Sequence, residues 1–118
     1  MARVKGGKTS QKRRKNILKQ TKGFRWGRKS KLRQAKEALF HAGRYAFRDR
    51  RVKKREFRRL WQIQIGAGAK SLGLSYSRFM HGLQQQNIEI DRKVLAKLAQ
   101  KYPEIFQQIV EEAKTNFI

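Results

Sequence analysis

Small and apolar residues recur at spacings of three and four from residue 32 onward, which predicts a long α-helix over residues 31–60. Ser30 precedes this segment as a predicted N-cap. Basic side chains occupy nearly every other direction around the helix, so its apolar seam is too thin to hold it in a hydrophobic core. The positions of that seam are Leu32, Ala35, Leu39, Ala42 and Ala46.

The first thirty residues show no comparable periodicity. They contain four glycines and only scattered apolar residues. We therefore predict an extended arm with at most one or two helical turns, around residues 11–20.

Residues 61–118 have the pattern of short amphipathic helices. One helix is predicted at 61–70, although Gly66 and Gly68 weaken it. The next two begin after the predicted N-caps Ser75 and Asp91, and the last begins at Pro103. Ile90 and Leu95 are spaced as a hydrophobic staple. The predicted buried faces are Tyr76, Phe79, Met80 and Leu83; Val94, Leu95, Leu98 and Ala99; and Ile105, Phe106, Ile109, Val110 and Ala113.

These patterns predict an all-α fold without a sheet. Residues 1–60 are expected to form a long basic N-terminal extension with a long helix, and residues 61–118 a small four-helix globular domain. About sixty residues form a core of marginal but feasible size.

Charge separates the same two segments. The 118 residues carry 31 Lys and Arg against 8 Asp and Glu, a net charge of +23. Residues 1–60 hold 24 basic and three acidic residues, a net charge of +21, whereas residues 61–118 hold seven and five, a net charge of +2. So much positive charge attracts polyanions. Like-charge pairs four residues apart, such as Arg50 and Lys54, predict that the long helix is marginal alone.

Several kinds of chemistry find no support in the sequence. Without Cys there is no disulfide or thiolate metal site, which fits a reducing compartment. Glu37 and His41 are interpreted as a helix-supporting pair, since no second His or Cys accompanies them. No secretory signal, membrane-spanning run, wide membrane-binding face or phosphate loop is present. We predict no enzymatic activity, metal, cofactor or small-molecule substrate, and no membrane contact.

Aromatic residues alternate with basic ones where the charge is highest. Phe24 and Trp26 stand between Arg25 and Arg28, and Tyr45 and Phe47 repeat the pattern. Basic side chains bind phosphates while aromatic rings stack on unpaired bases, so this mixture favours RNA binding. Alternatively, Phe24 or Phe47 folds back onto the globular domain. RNA on several sides of the long helix would neutralise its charge.

Five stretches of the chain are similar to one known family, the bacterial and plastid large-subunit ribosomal protein twenty. They are MARVK, TKGFRWGRKSK, YAFRDRRVKKREFRRLW, GLSYSRFMHGL and IEIDRKVLAKLA. The resemblance implies a basic extension inserted into large-subunit ribosomal RNA and a small all-α domain that also binds RNA. It further implies neighbouring ribosomal proteins as partners, a part in subunit assembly and, in some bacteria, repression of the family's own messenger RNA. The expected location is the ribosome, in the cytoplasm or the plastid stroma.

One stretch departs from the family's pattern. After Trp61 the family usually has a run like I-x-R-I-N-A-A-x-R, whereas this chain has QIQIGAGAK. Gln64 stands where Arg is common, and Gly66 and Gly68 replace Asn and Ala. Because of these changes, neither the RNA contacts that the family usually makes through this helix nor the helix's rigidity can be assumed for this chain. Lys70 retains a positive charge at the last of these positions.

On the globular domain, the predicted RNA side comprises the N-terminal turns at 75–78 and 91–93, where backbone amides face phosphate. The alternative is a DNA-binding helix-turn-helix regulator with a basic arm, using helices 76–86 and 92–101, although its second helix offers mainly phosphate-type charge. The complete set of predicted RNA-binding residues is Arg3, Lys5, Lys8, Lys12, Arg13, Arg14, Lys15, Lys19, Lys22, Phe24, Arg25, Trp26, Arg28, Lys29, Lys31, Arg33, Arg44, Tyr45, Arg48, Arg50, Arg51, Lys53, Lys54, Arg55, Arg58, Arg59, Lys70, Ser75, Tyr76, Ser77, Arg78, Arg92 and Lys93.

Overall fold

A computed structural model describes residues 1–115 of the chain. Within that range there are helices and no strands, so the predicted all-α fold is confirmed. The chain divides into two compact units, Met1–Arg51 and Val52–Ile118. The helices are α1 (Lys8–Gln20), a 3-10 helix (Trp26–Lys29), α2 (Leu32–Ser71), α3 (Tyr76–Gln85), α4 (Arg92–Lys101) and α5 (Pro103–Lys114).

Helix α1 is longer than the one or two turns predicted for the arm. It has 13 residues, and neither Gly nor Pro interrupts it. Gly7 precedes it with a φ of 42°, in the left-handed region that glycine tolerates. At its other end Thr21 is fully buried, and its hydroxyl donates to the carbonyl oxygen of Leu18 at 3.3 Å. The prediction gave too much weight to the flanking glycines, which lie outside the helical residues.

Ser30 is not the N-cap of α2, contrary to prediction. The 3-10 turn carries the chain on to Lys31, whose amide donates to the carbonyl oxygen of Gly27 at 2.8 Å. Helix α2 therefore begins at Leu32, and the amide of Ala35 donates to the carbonyl oxygen of Lys31. The Ser30 carbonyl instead accepts a hydrogen bond from Arg14 at 3.2 Å.

The thin seam of α2 is covered only at its start. Ala35 is fully buried and Leu32 and Leu39 are half-buried, whereas Ala42 and Ala46 are exposed. Between residues 40 and 60 every side chain is exposed except the half-buried Val52.

The segment 61–70 is not a separate helix, as the sequence predicted, but the C-terminal end of α2. Gly66 and Gly68 do not interrupt it. At Gly68 a Cβ atom would lie only 2.9 Å from Cε1 of Phe106, so the missing side chain permits close packing. At Gly66 the nearest atom, Cβ of Tyr76, would be at an ordinary 3.7 Å.

The end of α2 is capped twice. Gly73, at a φ of 84°, makes a Schellman turn: its amide donates to Lys70, and that of Leu74 donates to Ala69. Lys114 then donates from Nζ to the carbonyl oxygen of Leu72 at 2.5 Å. These bonds satisfy carbonyl groups that the helix itself leaves unpaired.

The end of α2 packs with α3, α4 and α5 around one core, as the four-helix prediction required. Val94 and Ile105 were predicted to be buried but are each 47% exposed, and Ala96 is buried instead. Successive residues turn by about 100°, so a face built on Leu95 and Ala96 directs Val94 outward. Likewise Phe106, Val110 and Ala113 form the buried face of α5, and Ile105 lies at the edge of that face. The buried core is Ile65, Ala69, Leu74, Phe79, Leu83, Leu95, Ala96, Phe106, Val110 and Ala113.

Candidate nucleic-acid interface

The basic residues of the first unit present their charge to solvent. Arg14 contacts the 3-10 turn through the Ser30 carbonyl, whereas the residues before α1 belong to no helix. The exposed predicted residues from the arm and the start of α2 are Arg3, Lys5, Lys8, Lys12, Arg13, Arg14, Lys15, Lys19, Lys22, Arg25, Trp26, Arg28, Lys29, Lys31 and Arg33.

The two aromatic residues of the FRWGRKS segment have different environments. Trp26 is 82% exposed and has a φ of 53°, in the left-handed region that few residues other than glycine adopt. Phe24 is half-buried and shares a cleft of about 780 Å³ with Arg28, His41 and Tyr45. Phe24 thus packs within its own unit. Phe47, on α2, is 59% exposed.

Arginine side chains lie over the exposed aromatic rings of α2. The guanidinium carbon of Arg51 is 4.4 Å from the centre of the Phe47 ring, and that of Arg48 is 4.9 Å from the centre of the Tyr45 ring. Such cation–π contacts orient the guanidinium planes. Each pair offers a planar cation next to an aromatic face, the combination that grips phosphates and unpaired bases.

Acidic partners restrain two of the arginines in this stretch. Asp49 accepts a hydrogen bond from Nε of Arg48 at 2.8 Å, and this bond, with the charge attraction, raises the pKa of Arg48. Glu56 accepts from Arg59 at 3.0 Å. Arg50 donates to the carbonyl oxygen of Ala46. All these side chains are exposed, so the contacts contribute little stability and can exchange for phosphate.

In the second unit, one hydrogen bond links the two predicted RNA-binding turns. Nε of Arg92, the first residue of α4, donates to the hydroxyl of Tyr76, the first residue of α3, at 3.2 Å. Ser75 caps α3 as predicted, accepting from the Arg78 amide at 3.4 Å. Asp91 is at the predicted N-cap position of α4 but makes no side-chain cap bond. The N-terminal ends of α3 and α4 therefore lie close together.

Lys70 lies beside these turns. It lines a cleft of about 500 Å³ together with Ser75 and Tyr76. Gln64, at the position where the family usually has Arg, is half-buried. The departure from the family's pattern thus removes a charge but keeps the helix and its last basic residue.

The sequence interpretation missed an aromatic pair. Phe57 and Trp61, four residues apart, place their ring centres 6.3 Å from each other at an interplanar angle of 37°. They share a cleft with Lys93 from α4. The available signal was the i, i+4 spacing of two aromatic residues within a basic run.

Glu37 and His41 form the predicted i, i+4 pair, with 3.8 Å between Oε1 and Nε2. In residues 1–115, no three or more His, Cys, Asp and Glu side chains come together as a metal would require. No helix in that range combines the length and the apolar character needed to cross a membrane.

Fold and charge together define a class: a small all-α protein with a basic helical extension. Residues 3–109 match the family model described as Ribosomal protein L20. The chain is also 52% identical over 116 residues to the large ribosomal subunit protein bL20 of Marinobacter nauticus, with 98% of this chain and 99% of that protein covered. The chain therefore belongs to the ribosomal protein L20 family, as the resemblance indicated. This is a family of structural, non-enzymatic proteins, which confirms that the chain is not an enzyme and sets aside the DNA-binding regulator.

Proposed function

We propose that this chain is a structural constituent of the large ribosomal subunit that binds directly to large-subunit ribosomal RNA and supports assembly of the subunit. The observation that carries the proposal is the exposed stretch of α2 at residues 40–60. It holds nine Lys or Arg and two acids, and every side chain in it is exposed except the half-buried Val52. Membership of the ribosomal family supports the same conclusion.

A helix with this much like charge is destabilised when only solvent surrounds it. Basic residues four apart repel each other, and the two acids of the stretch, Asp49 and Glu56, offset only part of the repulsion. Phosphates on several sides would neutralise the charge while releasing counterions, a favourable term for binding. An RNA that surrounds the helix thus accounts for both its charge and its exposure.

The globular domain adds a second RNA-binding surface. The Arg92–Tyr76 hydrogen bond holds the first turns of α3 and α4 together, where unpaired backbone amides favour phosphate. Arg78 and Lys93, exposed on these turns, would supply charge. Lys70 would extend this surface.

Further partners belong to the same proposal. In the ribosome the chain would also contact neighbouring ribosomal proteins, in the bacterial cytoplasm or the plastid stroma. Its own messenger RNA would be bound if that messenger folds into the same phosphate arrangement as the ribosomal site. A reporter gene fused to the messenger's leader should then lose translation when the protein is supplied in excess, and an unchanged signal would remove this partner.

The direct test exchanges arginine for lysine on α2. Arg forms forked hydrogen bonds to phosphate pairs, whereas Lys offers a point charge, and both residues favour a helix. If forks are made, the variant should lose about 1 kcal/mol or more per well-formed fork on the ribosomal RNA, with less than additive totals. The five residues exchanged are Arg50, Arg51, Arg55, Arg58 and Arg59.

Unstructured RNA of equal length is the control, and circular dichroism verifies that the bound variant keeps its helix. The cognate fold should lose affinity much more than the control RNA. Equal weakening on both RNAs would mean that α2 acts only as a diffuse positive rod.

A further inference from the structure

The cleft beside Phe57 and Trp61 has an apolar floor and a basic rim. Its volume is about 600 Å³, within the range of sites that hold small organic groups. All its lining residues lie in the second unit: Phe57 and Trp61 with Lys54, Arg55, Arg58 and Lys93. No acidic residue lines it.

The two rings differ in what already covers them. Trp61 is half-buried and packs against the hydrophobic core, so its position is fixed. Phe57 is 46% exposed, and Nζ of Lys53 lies 5.9 Å from its ring centre, near the outer limit of a cation–π contact. The pair is therefore an anchored aromatic surface whose outer part is open to a ligand.

We propose that this cleft receives one unpaired nucleobase of an RNA strand, stacked on the Phe57–Trp61 pair, while the flanking phosphates contact the basic rim. This proposal rests on the proposed RNA-binding function and adds to it a specific site where the protein contacts a base. The rings stand 6.3 Å apart and tilted, too close for a base to enter between them. The base would lie across their exposed surface.

Charge favours RNA over an apolar protein segment as the occupant. Four cations around one small cleft would repel each other unless an anion entered with the ligand. A nucleotide supplies both parts at once, a flat apolar base and an adjacent phosphate. Lys93 approaches from α4, so the rim can hold phosphates on both sides of the base.

Trp61 can report on its own cleft. The chain has two tryptophans, Trp26 and Trp61, so a Trp26→Phe background of the full chain leaves one. The probes are a single-stranded RNA of mixed sequence, the same backbone with abasic positions, and polyphosphate of equal charge. We expect RNA to quench Trp61 emission through stacking, and the two base-free polymers to bind without quenching.

A Phe57→Leu change in that background should lower the affinity for the RNA about fivefold or more and leave the affinity for polyphosphate unchanged. Phe40→Leu is the matched control, because Phe40 is an exposed aromatic residue on the same helix with a lysine 5.8 Å from its ring centre, much as Lys53 lies over Phe57. It should leave Trp61 quenching intact. If Phe57→Leu lowers the stability of the protein, the base site is still tested by comparing Trp61 quenching by RNA with quenching by the two base-free polymers in the Trp26→Phe chain.

The possible failures are distinguishable. RNA that binds more tightly than polyphosphate but leaves Trp61 unquenched would overturn the base site and leave the proposed function standing. Equal binding and equal quenching by RNA and polyphosphate would overturn both. If Trp61 emission changes on adding a purified neighbouring ribosomal protein but not on adding RNA, the occupant of the cleft is a protein and the base site is overturned.

Discussion

Adding one methyl group at Gly66 should stabilise the protein, whereas adding it at Gly68, two residues later on the same helix, should not. Both positions are helical, so Gly→Ala gains about 1 kcal/mol of helix propensity at either one. They differ in surroundings. The new Cβ at Gly68 would lie 2.9 Å from the buried Phe106 ring and 3.3 Å from Cβ of Ala99.

Overpacking of this kind costs about 1–3 kcal/mol, because the rigid ring must shift within the core. Subtracting the propensity gain leaves Gly68→Ala neutral to about 2 kcal/mol less stable than the parent chain. At Gly66 the methyl group would meet Cβ of Tyr76 at 3.7 Å, an ordinary contact, so Gly66→Ala should keep most of its gain. Gly43 has nothing within 4 Å and serves as a third, exposed position.

Thermal unfolding of the RNA-free protein, followed by circular dichroism, measures the difference. The globular unit has under 70 residues, for which 1 kcal/mol corresponds to roughly 4–8 °C. Gly66→Ala should thus melt at least about 4 °C above Gly68→Ala. If the two variants melt together, or if Gly68→Ala is the more stable, then Gly68 is not required for the close packing of α2 against Phe106.

Lys114→Met leaves the Leu72 carbonyl without its donor and should reduce the free energy of unfolding by about 1–3 kcal/mol in urea titrations, whereas Lys101→Met, on an exposed helix end, should not. Ser75→Ala should cost about 1 kcal/mol in the same assay and Asp91→Ala clearly less, because only Ser75 makes a side-chain cap bond; equal losses would contradict the capping geometry. Amide exchange at low salt should be slow in residues 61–115 and fast over much of residues 1–60; uniformly slow exchange would refute the like-charge repulsion in α2.

Hydrophobic periodicity predicted the globular domain well because its helices are short and amphipathic. Ser75, Asp91 and Pro103 each precede or begin a helix at the predicted position. The pattern failed where neighbouring residues compete for one narrow buried face. Val94 and Ala96 are both plausible core residues, and only the packing of α4 against α5 decides between them.

Two further errors came from interpreting one local signal in isolation. Gly66 and Gly68 predict a weak or broken helix from propensity alone, yet the chain needs a small residue at 68 to bring the helix against Phe106. Ser30 has the chemistry of an N-cap, but a 3-10 turn moves the start of α2 past it.

Charge indicated a polyanion as the ligand, but charge alone could not identify where a base would stack. The predicted aromatic contacts are Phe24, Trp26 and Tyr45 in the first unit and Tyr76 in the second. The cleft at Phe57 and Trp61 depends on Lys93, more than thirty residues away in sequence, and becomes visible only when α4 is placed beside α2. The Arg92–Tyr76 bond is of the same kind, since no local pattern joins the ends of two helices.

The continuity of α2 has a consequence for how the basic stretch becomes helical. Starting a helix is the unfavourable step, because several residues are fixed before the first hydrogen bond forms, whereas each later residue adds a bond. Ile65 and Ala69, buried in the core, hold the end of α2 in helical form. The charged residues before them need no nucleus of their own. The RNA proposed as the ligand would therefore have only to favour propagation of the helix toward the arm, which it would do by neutralising pairs of like charges.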